Sequence, residues 1–212
     1  MTPFDSIFHS AHFIKSAEKL SQCPLDQGFE VAFAGRSNAG KSTALNTLTD
    51  QKKLARTSKT PGRTQLINCF GLNVDDRRLI DLPGYGFAKV PVAMKVNWQA
   101  HMQDYLMNRH SLVGVVLVMD IRHPLKEFDE LMLDWAQANQ MAVHVLLTKA
   151  DKLKRGPAQS TRLQVQKNLN NRGVIGSVQT FSGLSNEGLD TLRMKLGEWL
   201  QMESFIKTAD GE

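Results

Sequence analysis

The sequence predicts an α/β fold in three layers: a mostly parallel six-stranded sheet with one antiparallel edge strand, and helices on both faces. Two observations predict it. Short apolar stretches suited to buried strands alternate with longer stretches suited to helices, which is typical of parallel sheets. The first apolar stretch also runs into a glycine-bracketed loop, VAFAGRSNAGKST, and a helical stretch follows that loop.

The individual elements follow from the apolar periodicity along the chain. The predicted strands are residues 30–34, 64–70, 78–82, 112–119, 143–147 and 174–181. Residues 64–70 alternate polar and apolar side chains, as expected of a half-exposed edge strand. The predicted helices lie between or after these strands, at residues 41–49, 93–108, 125–139, 158–170 and 186–205.

The length of 212 residues fits one globular domain with short appendages. We expect an appended arm or helix at residues 1–24, with the helical alternative at residues 13–20, then the main domain at residues 25–207 and a frayed end at residues 208–212. No apolar run is long enough to span a bilayer and no signal peptide is visible, which favours a cytoplasmic protein. The formal net charge of +5 fits an anionic partner, but also solubility alone.

Cys23 and Cys69 are the two cysteines of the chain. They match no metal-binding spacing, and a cytoplasmic protein keeps its thiols reduced. We therefore expect neither a structural metal site nor a disulfide from them.

The glycine-bracketed loop fits the pattern G-x-x-x-x-G-K-[ST] through Gly35, Gly40, Lys41 and Ser42. Glycines let a loop turn its backbone amides around a phosphate, and the following helix adds its positive end. Lys41 is expected to reach the β- and γ-phosphates, and the Ser42 hydroxyl to ligate Mg²⁺. The predicted contacts in this loop are Gly35, Arg36, Ser37, Asn38, Ala39, Gly40, Lys41, Ser42 and Thr43.

The motif DLPG closes the predicted strand 78–82. Its Asp81 is expected to hold Mg²⁺, and its Gly84 to offer a backbone amide to the γ-phosphate. Alone, this motif could be a plain turn after a strand, but after the phosphate-binding loop it indicates a nucleoside triphosphatase. The predicted contacts are Asp81, Leu82, Pro83 and Gly84.

The motif TKAD closes the predicted strand 143–147 and indicates guanine as the base. The Asp151 carboxylate can accept from both N1–H and N2–H₂ of guanine, whereas adenine would leave it unpaired. Lys149 is expected either to lay its aliphatic stem along the base or to brace the phosphate-binding loop. In FSG, a backbone amide can donate to guanine O6. The predicted contacts are Thr148, Lys149, Ala150, Asp151, Phe181, Ser182 and Gly183.

In this order and spacing, GRSNAGKS, PGRTQ, DLPG, TKAD and FSG resemble the motif set of the Era-like, translation-factor-class small GTPases. PGRTQ-x-IN with DLPGYGFAKV resembles, more narrowly, the YihA/EngB (YsxC) family of bacterial ribosome-assembly GTPases, over residues 28–200. The resemblance implies a P-loop NTPase fold, a GTP-binding (G) domain at residues 25–207, binding of GTP or GDP with Mg²⁺, and GTP hydrolysis. It also implies a role in late assembly of the large (50S) ribosomal subunit, and a requirement for normal cell division and septation.

By the same resemblance, residues 51–64 are switch I and residues 84–90 are switch II. Thr64 is expected to close onto Mg²⁺ and the γ-phosphate when GTP is bound, and Thr60 is the competing candidate. The implied metal ligands are Ser42, Thr64 and Asp81, and the implied catalytic residues are Lys41, Thr64 and Gly84. The implied nucleotide contacts around the end of switch I are Gly62, Arg63, Thr64, Gln65 and Leu66.

Tyr85 stands where Ras-like GTPases place the glutamine that orients the attacking water. A tyrosine cannot do this in the same way, so we expect slow intrinsic hydrolysis. Several related GTPases use an asparagine at the position of Asn38 to hold K⁺ near the β/γ-bridging oxygen. Alternatively, Asn38 only stabilises the turn of the loop.

Two groups of basic residues indicate contact with rRNA of the large ribosomal subunit or its precursor. The first lies in switch I: Lys52, Lys53, Arg56, Lys59 and Arg63. The second follows TKAD: Lys152, Lys154, Arg155, Arg162, Lys167 and Arg172. No RNA-binding signature with interleaved aromatics is visible, so these residues would contact the phosphate backbone of the RNA and recognise its shape. The alternative for each group is a solvated surface.

Three hypotheses about function stay open from the sequence. We favour a slow GTPase that acts as a monomer. A nucleotide-gated rRNA-binding assembly module, in which hydrolysis is incidental, is the alternative. A P-loop kinase is a weaker alternative, because TKAD would then have no purpose.

Overall fold

The computed structural model describes residues 2–55, 66–85 and 92–206, with the side chains of residues 92–99 left out. The strands are β1 (His12–Ala17), β2 (Phe29–Gly35), β3 (Ile67–Gly71), β4 (Arg77–Asp81), β5 (Leu112–Asp120), β6 (Val143–Thr148) and β7 (Gly176–Thr180). The helices are α1 (Asp5–His9), α2 (Lys41–Leu48), α3 (Val92–Asn108), α4 (Glu127–Ala138), α5 (Arg155–Arg172) and α6 (Leu189–Trp199). Three short 3₁₀ turns complete the order, at Leu20–Gln22, Ala150–Lys152 and Glu203–Phe205.

The strands form one seven-stranded sheet in the order β1-β3-β4-β2-β5-β6-β7. Strand β3 runs antiparallel to both of its neighbours, and the other pairs are parallel. The predicted fold class is therefore confirmed, with one strand more than the predicted six. Because β1 covers its outer side, β3 is not the edge strand that the sequence predicted.

The additional strand lies in the N-terminal arm, where the predicted helix over residues 13–20 is wrong. Strand β1 pairs with β3 from His12 opposite Gly71 to Ala17 opposite Ile67, with a register shift in between. Ala17 is the one buried residue of β1. Because only one residue of β1 is buried, its sequence shows no strand-like alternation of buried and exposed side chains. The backbone hydrogen bonds to β3 decide its conformation instead.

The core lies in two layers, one on each face of the sheet. Along β2, Val31 and Phe33 contact one face, and Ala32 and Ala34 the other, as the period of two requires. One layer contains side chains of α1, α2 and α6, and the opposite layer contains side chains of α3, α4 and α5. No helix among the described residues has the length and apolar character needed to cross a bilayer.

A buried ionic cluster closes the end of the sheet opposite to the carboxyl ends of the strands. Glu30, at the start of β2 and fully buried, accepts hydrogen bonds from Arg78 (2.6 Å), Arg109 (2.6 and 2.9 Å) and the Tyr105 hydroxyl (2.7 Å). Burial acts to raise the pKa of Glu30, but these hydrogen bonds outweigh it and the pKa lies below its usual value. A buried carboxylate that accepts four hydrogen bonds from three residues is a satisfied structural group.

His144 is a buried histidine on β6 with both ring nitrogens in hydrogen bonds. Its Nδ1 lies 2.8 Å from Ser177 Oγ and its Nε2 lies 2.9 Å from Gln179 Oε1. Burial lowers the pKa of His144 from 6.5 to about 4, because the charged ring would lose its hydration. The neutral ring is therefore the form that the fold accepts.

Because the pKa of His144 is lower in the folded state, acid should destabilise the protein through this residue. Its contribution is complete above pH 6.5 and is lost as the pH falls from 6.5 to about 4. Between pH 7 and pH 4 we expect the free energy of unfolding to fall by about 3 kcal/mol more than in the non-titrating variant His144→Gln. Urea unfolding at both pH values measures this, and equal pH dependence in the two proteins would contradict it.

Candidate nucleotide-binding site

The motifs meet at the carboxyl ends of adjacent parallel strands. Gly35 ends β2, Asp81 ends β4 and Thr148 ends β6, while Asp120 ends β5 between them. A groove of about 1460 Å³ opens at this edge, lined by the glycine-bracketed loop, DLPG and Lys149. Ligands of open α/β sheets bind at this edge, so the sheet itself brings distant sequence motifs into one site.

The phosphate-binding loop joins β2 to α2 through backbone conformations that suit its residues. Gly40, immediately before α2, has φ 101° and Asn38 has φ 63°, both in the left-handed region. A Cβ atom on Gly35 would lie 2.6 Å from the carbonyl oxygen of Val118 on β5. Glycine is therefore required at Gly35 by close approach and at Gly40 by its dihedral angles. The conformation also gives Asn38 a role in the turn of the loop.

Lys41 and Asp81, which the sequence assigns to the phosphates and to Mg²⁺, lie at the centre of the groove. The Lys41 ammonium group donates to Asp81 Oδ1, and the two side chains are about nine-tenths buried. Ser42 lines the same groove from the first turn of α2. A hydroxyl, a carboxylate and a lysine fit the oxygen ligands of Mg²⁺ and the negative charge of phosphates.

The segment after β4 runs directly against the phosphate-binding loop. Tyr85 N–H donates to the Gly35 carbonyl (3.3 Å), and Ser37 N–H donates to the Tyr85 carbonyl (2.7 Å). A Cβ atom on Gly84 would lie 3.4 Å from the backbone nitrogen and Cα of Ser37. Gly84 therefore lies directly beside the phosphate-binding loop.

Lys149 connects the base-recognition motif to the phosphate-binding loop. Its Nζ donates to the Asn38 carbonyl (2.8 Å) and pairs with Asp120 Oδ2 (2.9 Å). The preceding Thr148 donates its hydroxyl hydrogen to the Ala39 carbonyl. The hydrogen bond to Asn38 fits one of the two roles that the sequence left open for Lys149, the bracing of the loop.

Asp151 lies beside the FSG motif. Its Oδ1 accepts from Ser182 Oγ (2.7 Å) and its Oδ2 pairs with Lys152 Nζ (2.9 Å). The hydrogen bonds from Lys152 and Ser182 lower the pKa of Asp151, so the acceptor stays ionised at neutral pH. Ser182 is fully buried, and a Cβ atom on Gly183 would lie 2.6 Å from Thr43 Cγ2 of α2. The FSG motif thus contacts both the carboxylate and the phosphate-binding helix.

Asp120 is a site residue that sequence reasoning missed. It accepts two hydrogen bonds from the Arg122 guanidinium (2.9 and 2.6 Å) and one from Arg122 N–H (3.1 Å), and it pairs with Lys149. The Arg122 guanidinium, and then Lys149, hold the pKa of Asp120 well below its usual range. The signal was present, because an acidic residue directly follows the apolar run of β5 at the same sheet edge as the other motifs.

Tyr85 does not turn its side chain towards the groove. The side chain is 1% exposed, and its hydroxyl donates to Asp129 Oδ1 on α4 (3.1 Å). The position at which a glutamine would orient water therefore offers no side chain to the site.

Several predicted site residues lie outside the described residues: Thr60, Gly62, Arg63, Thr64 and Gln65. The same holds for Arg56 and Lys59 of switch I and for residues 86–90 of switch II. Leu66, the first described residue after switch I, lines the groove. Of the predicted Mg²⁺ ligands, Ser42 and Asp81 lie together there.

Together, the fold and the groove define a P-loop GTPase domain. A family model described as "50S ribosome-binding GTPase" matches residues 30–149, which is 120 of the 212 residues. The chain belongs to this family. GTP binding, GTP hydrolysis and a ribosome-related role are properties of the family, and its members typically bind the nucleotide with Mg²⁺.

Similar solved structures agree with this fold. The crystal structure of a probable GTP-binding protein EngB has a TM-score of 0.64 and 21% identity, over 82% of this chain and 100% of that chain. This agreement concerns the fold, and the GTPase resemblance drawn from the motifs is confirmed by the family model. A bacterial selenocysteine-specific elongation factor EF-Sec gives 0.60 and 19%, over 83% of this chain and 29% of that one. The G domain of the T. maritima FeoB iron transporter gives 0.52 and 25%, over 82% and 99%.

Removal of the Lys149 ammonium group should weaken binding of both GTP and GDP. Lys149→Met leaves the Asn38 carbonyl without its charged donor, and we expect about five-fold weaker binding of each nucleotide. Arg122→Met is the matched control, because it also removes a cation paired with Asp120 but does not touch the loop. Titration calorimetry measures both variants. Equal losses in the two, or a loss for one nucleotide alone, would contradict the bracing role.

Proposed function

We propose that this protein is a slow GTPase whose nucleotide state controls its action on the large ribosomal subunit during late assembly. The observation that supports this most directly is the position of Asp151. Its ionised carboxylate, held by Ser182, lies at the same sheet edge as the phosphate-binding loop, and Lys149 in the same turn contacts that loop. A guanine acceptor and a triphosphate cradle would thus lie side by side at one sheet edge, in a member of a family of 50S ribosome-binding GTPases.

In this proposal, hydrolysis rests on positioning and charge rather than on a side-chain base. Lys41 and the loop amides carry the charge of the β- and γ-phosphates. Ser42, Thr64 and Asp81 would hold Mg²⁺, which supplies positive charge between the phosphates. The Gly84 amide donates to the γ-phosphate, a contact that GDP cannot make.

The buried side chain of Tyr85 supports a slow intrinsic rate, since water must be oriented by something other than this residue. A K⁺ ion at Asn38 stays a prediction. Its check is GTP turnover in matched KCl and NaCl, where equal rates would remove Asn38 from that role.

Asp151→Asn should abolish the preference for guanine. The amide loses one acceptor and presents donors to the N1–H and N2–H₂ edge, so we expect at least about a hundred-fold loss of GDP affinity relative to ADP. Asp134→Asn, an exposed carboxylate paired with Arg172 on the distant surface of α4, is the control. Competition of GDP and ADP for a labelled nucleotide measures the preference. An unchanged preference in Asp151→Asn would remove the basis of the proposal.

The proposed partner is the large ribosomal subunit or its precursor, contacted through rRNA. Between Asp151 and Glu187 the chain has six basic residues and no acidic one. Lys154, Arg155 and Lys167 of this stretch are exposed, whereas Arg172 pairs with Glu130 (3.3 Å) and Asp134. A stretch of chain with exposed cations and no carboxylates of its own suits the phosphate backbone of RNA.

Sedimentation with large ribosomal subunits tests this partner. We expect more protein to sediment with a non-hydrolysable GTP analogue than with GDP, and the affinity to fall at least about ten-fold between 50 and 200 mM salt. Substitution of Lys154 and Lys167 by Gln should weaken this binding, and Lys195→Gln on α6 is the control. Salt-independent affinity, or equal binding with both nucleotides, would count against the proposal.

The alternative function is an rRNA-binding assembly module in which hydrolysis is incidental. Single-turnover GTP hydrolysis with and without large-subunit precursors separates the two, because a working GTPase accelerates on the particle. Roles in cell division and septation, a monomeric state and a cytoplasmic location complete the proposal. The division and septation roles rest on the YihA/EngB resemblance.

A further inference from the structure

Tyr85 combines two attachments that no other described residue of DLPGY has. Its backbone is hydrogen-bonded to the phosphate-binding loop on both sides, to Gly35 (3.3 Å) and to Ser37 (2.7 Å). Its side chain extends in the opposite direction, into the layer of helix α4. Gly84, whose amide is proposed to meet the γ-phosphate, is the residue directly before it.

The side chain of Tyr85 is held by a stack and by one hydrogen bond. Its ring lies 4.1 Å from the ring of Phe128, centroid to centroid, at 21° to it. Its hydroxyl donates to Asp129 Oδ1 (3.1 Å), while Asp129 Oδ2 accepts from Lys126 N–H (3.0 Å) at the start of α4. Tyr85 and Asp129 are each 1% exposed. The contact therefore joins DLPGY to a carboxylate that is itself fixed by the first turn of a helix.

The hydrogen bond between Tyr85 and Asp129 is not needed for packing of the tyrosine ring. Burial raises the pKa of Asp129, and the hydrogen bonds from Lys126 N–H and Tyr85 O–H offset that effect only in part. A phenylalanine at position 85 would keep the stack without burying a phenol against a carboxylate. The hydroxyl thus gives a directional constraint that apolar packing lacks, since hydrogen bonds weaken steeply with angle and distance.

We propose that Tyr85 is a positioning residue for the Gly84 amide. Its hydrogen bond to Asp129 holds this amide where the γ-phosphate of GTP binds. The inference rests on the proposed contact of Gly84. A small displacement of this amide would lose that hydrogen bond and leave GDP binding unaffected. The Tyr85–Asp129 contact therefore contributes to the preference for GTP over GDP.

The test uses the ratio of GDP to GTP-analogue dissociation constants in the full chain. Tyr85→Phe keeps the ring stack and removes the hydroxyl, and we expect the affinity for the analogue to fall about five-fold relative to GDP. Asp129→Ala should lower the ratio similarly, and the double variant no further than either single one. An unchanged ratio in Tyr85→Phe would overturn the inference.

Tyr105→Phe is the matched control. Tyr105 is also fully buried, and its hydroxyl also donates to a buried carboxylate, Glu30 Oε2 (2.7 Å), but at the opposite end of the sheet. Both variants should lower the melting temperature, whereas only Tyr85→Phe should change the ratio. If the two variants change the ratio equally, Tyr85 has a purely structural role and the inference is wrong.

This test separates the inference from the proposed function. The ratio compares a triphosphate and a diphosphate of the same base, so it stays informative whatever Asp151 recognises. If the wild-type protein showed no preference for guanine over adenine nucleotides, the proposed function would be contradicted but this inference would not. If Gly84→Ala left the ratio of the GDP and GTP-analogue dissociation constants unchanged, the contact of Gly84 with the γ-phosphate, on which the inference rests, would be contradicted.

Discussion

The phosphate-binding loop keeps its shape because carbonyl groups on its outer side are hydrogen-bonded to other motifs. Lys149 donates to the Asn38 carbonyl, 111 positions earlier in the chain, and Thr148 donates to the Ala39 carbonyl. Ala39 is buried, and a buried carbonyl without a donor costs free energy, so the Thr148 hydroxyl stabilises this conformation of the loop. The cradle for a phosphate therefore depends on residues from the far half of the fold.

This constraint joins base recognition to phosphate binding in one turn of the chain. Lys149 has φ 60°, a left-handed conformation that directs its side chain to the loop, and Asp151 two residues later lies against Ser182. A displacement of this turn would disturb both contacts together. Asp120 balances the positive charge, since it pairs with Lys149 and with Arg122. The turn that carries the predicted guanine acceptor and the phosphate-binding loop are thus held to each other by Lys149.

Most of the fold was predictable, and the motifs that meet at the sheet edge were visible in the sequence, for reasons that individual elements make plain. The strands β2, β5 and β6 consist mostly of apolar residues and are buried on both faces, so their assignment as strands needs no tertiary information. The strand β1 was not predictable, because five of its six residues are exposed and only its pairing with β3 makes it a strand. The bracing role of Lys149 and the membership of Asp120 in the site also depend on which strand ends become neighbours.

The sequence by itself determined the loop chemistry: glycines where the backbone must approach closely, a lysine and a hydroxyl at a helix start, and a carboxylate after a buried strand. Those requirements are local, so they are visible as short patterns. Only the tertiary structure decided which direction a side chain takes from a given strand end. Tyr85 follows DLPG as the glutamine of a Ras-like GTPase would, yet it packs against α4, because a buried acceptor, Asp129, lies 44 positions later in the chain and close in space.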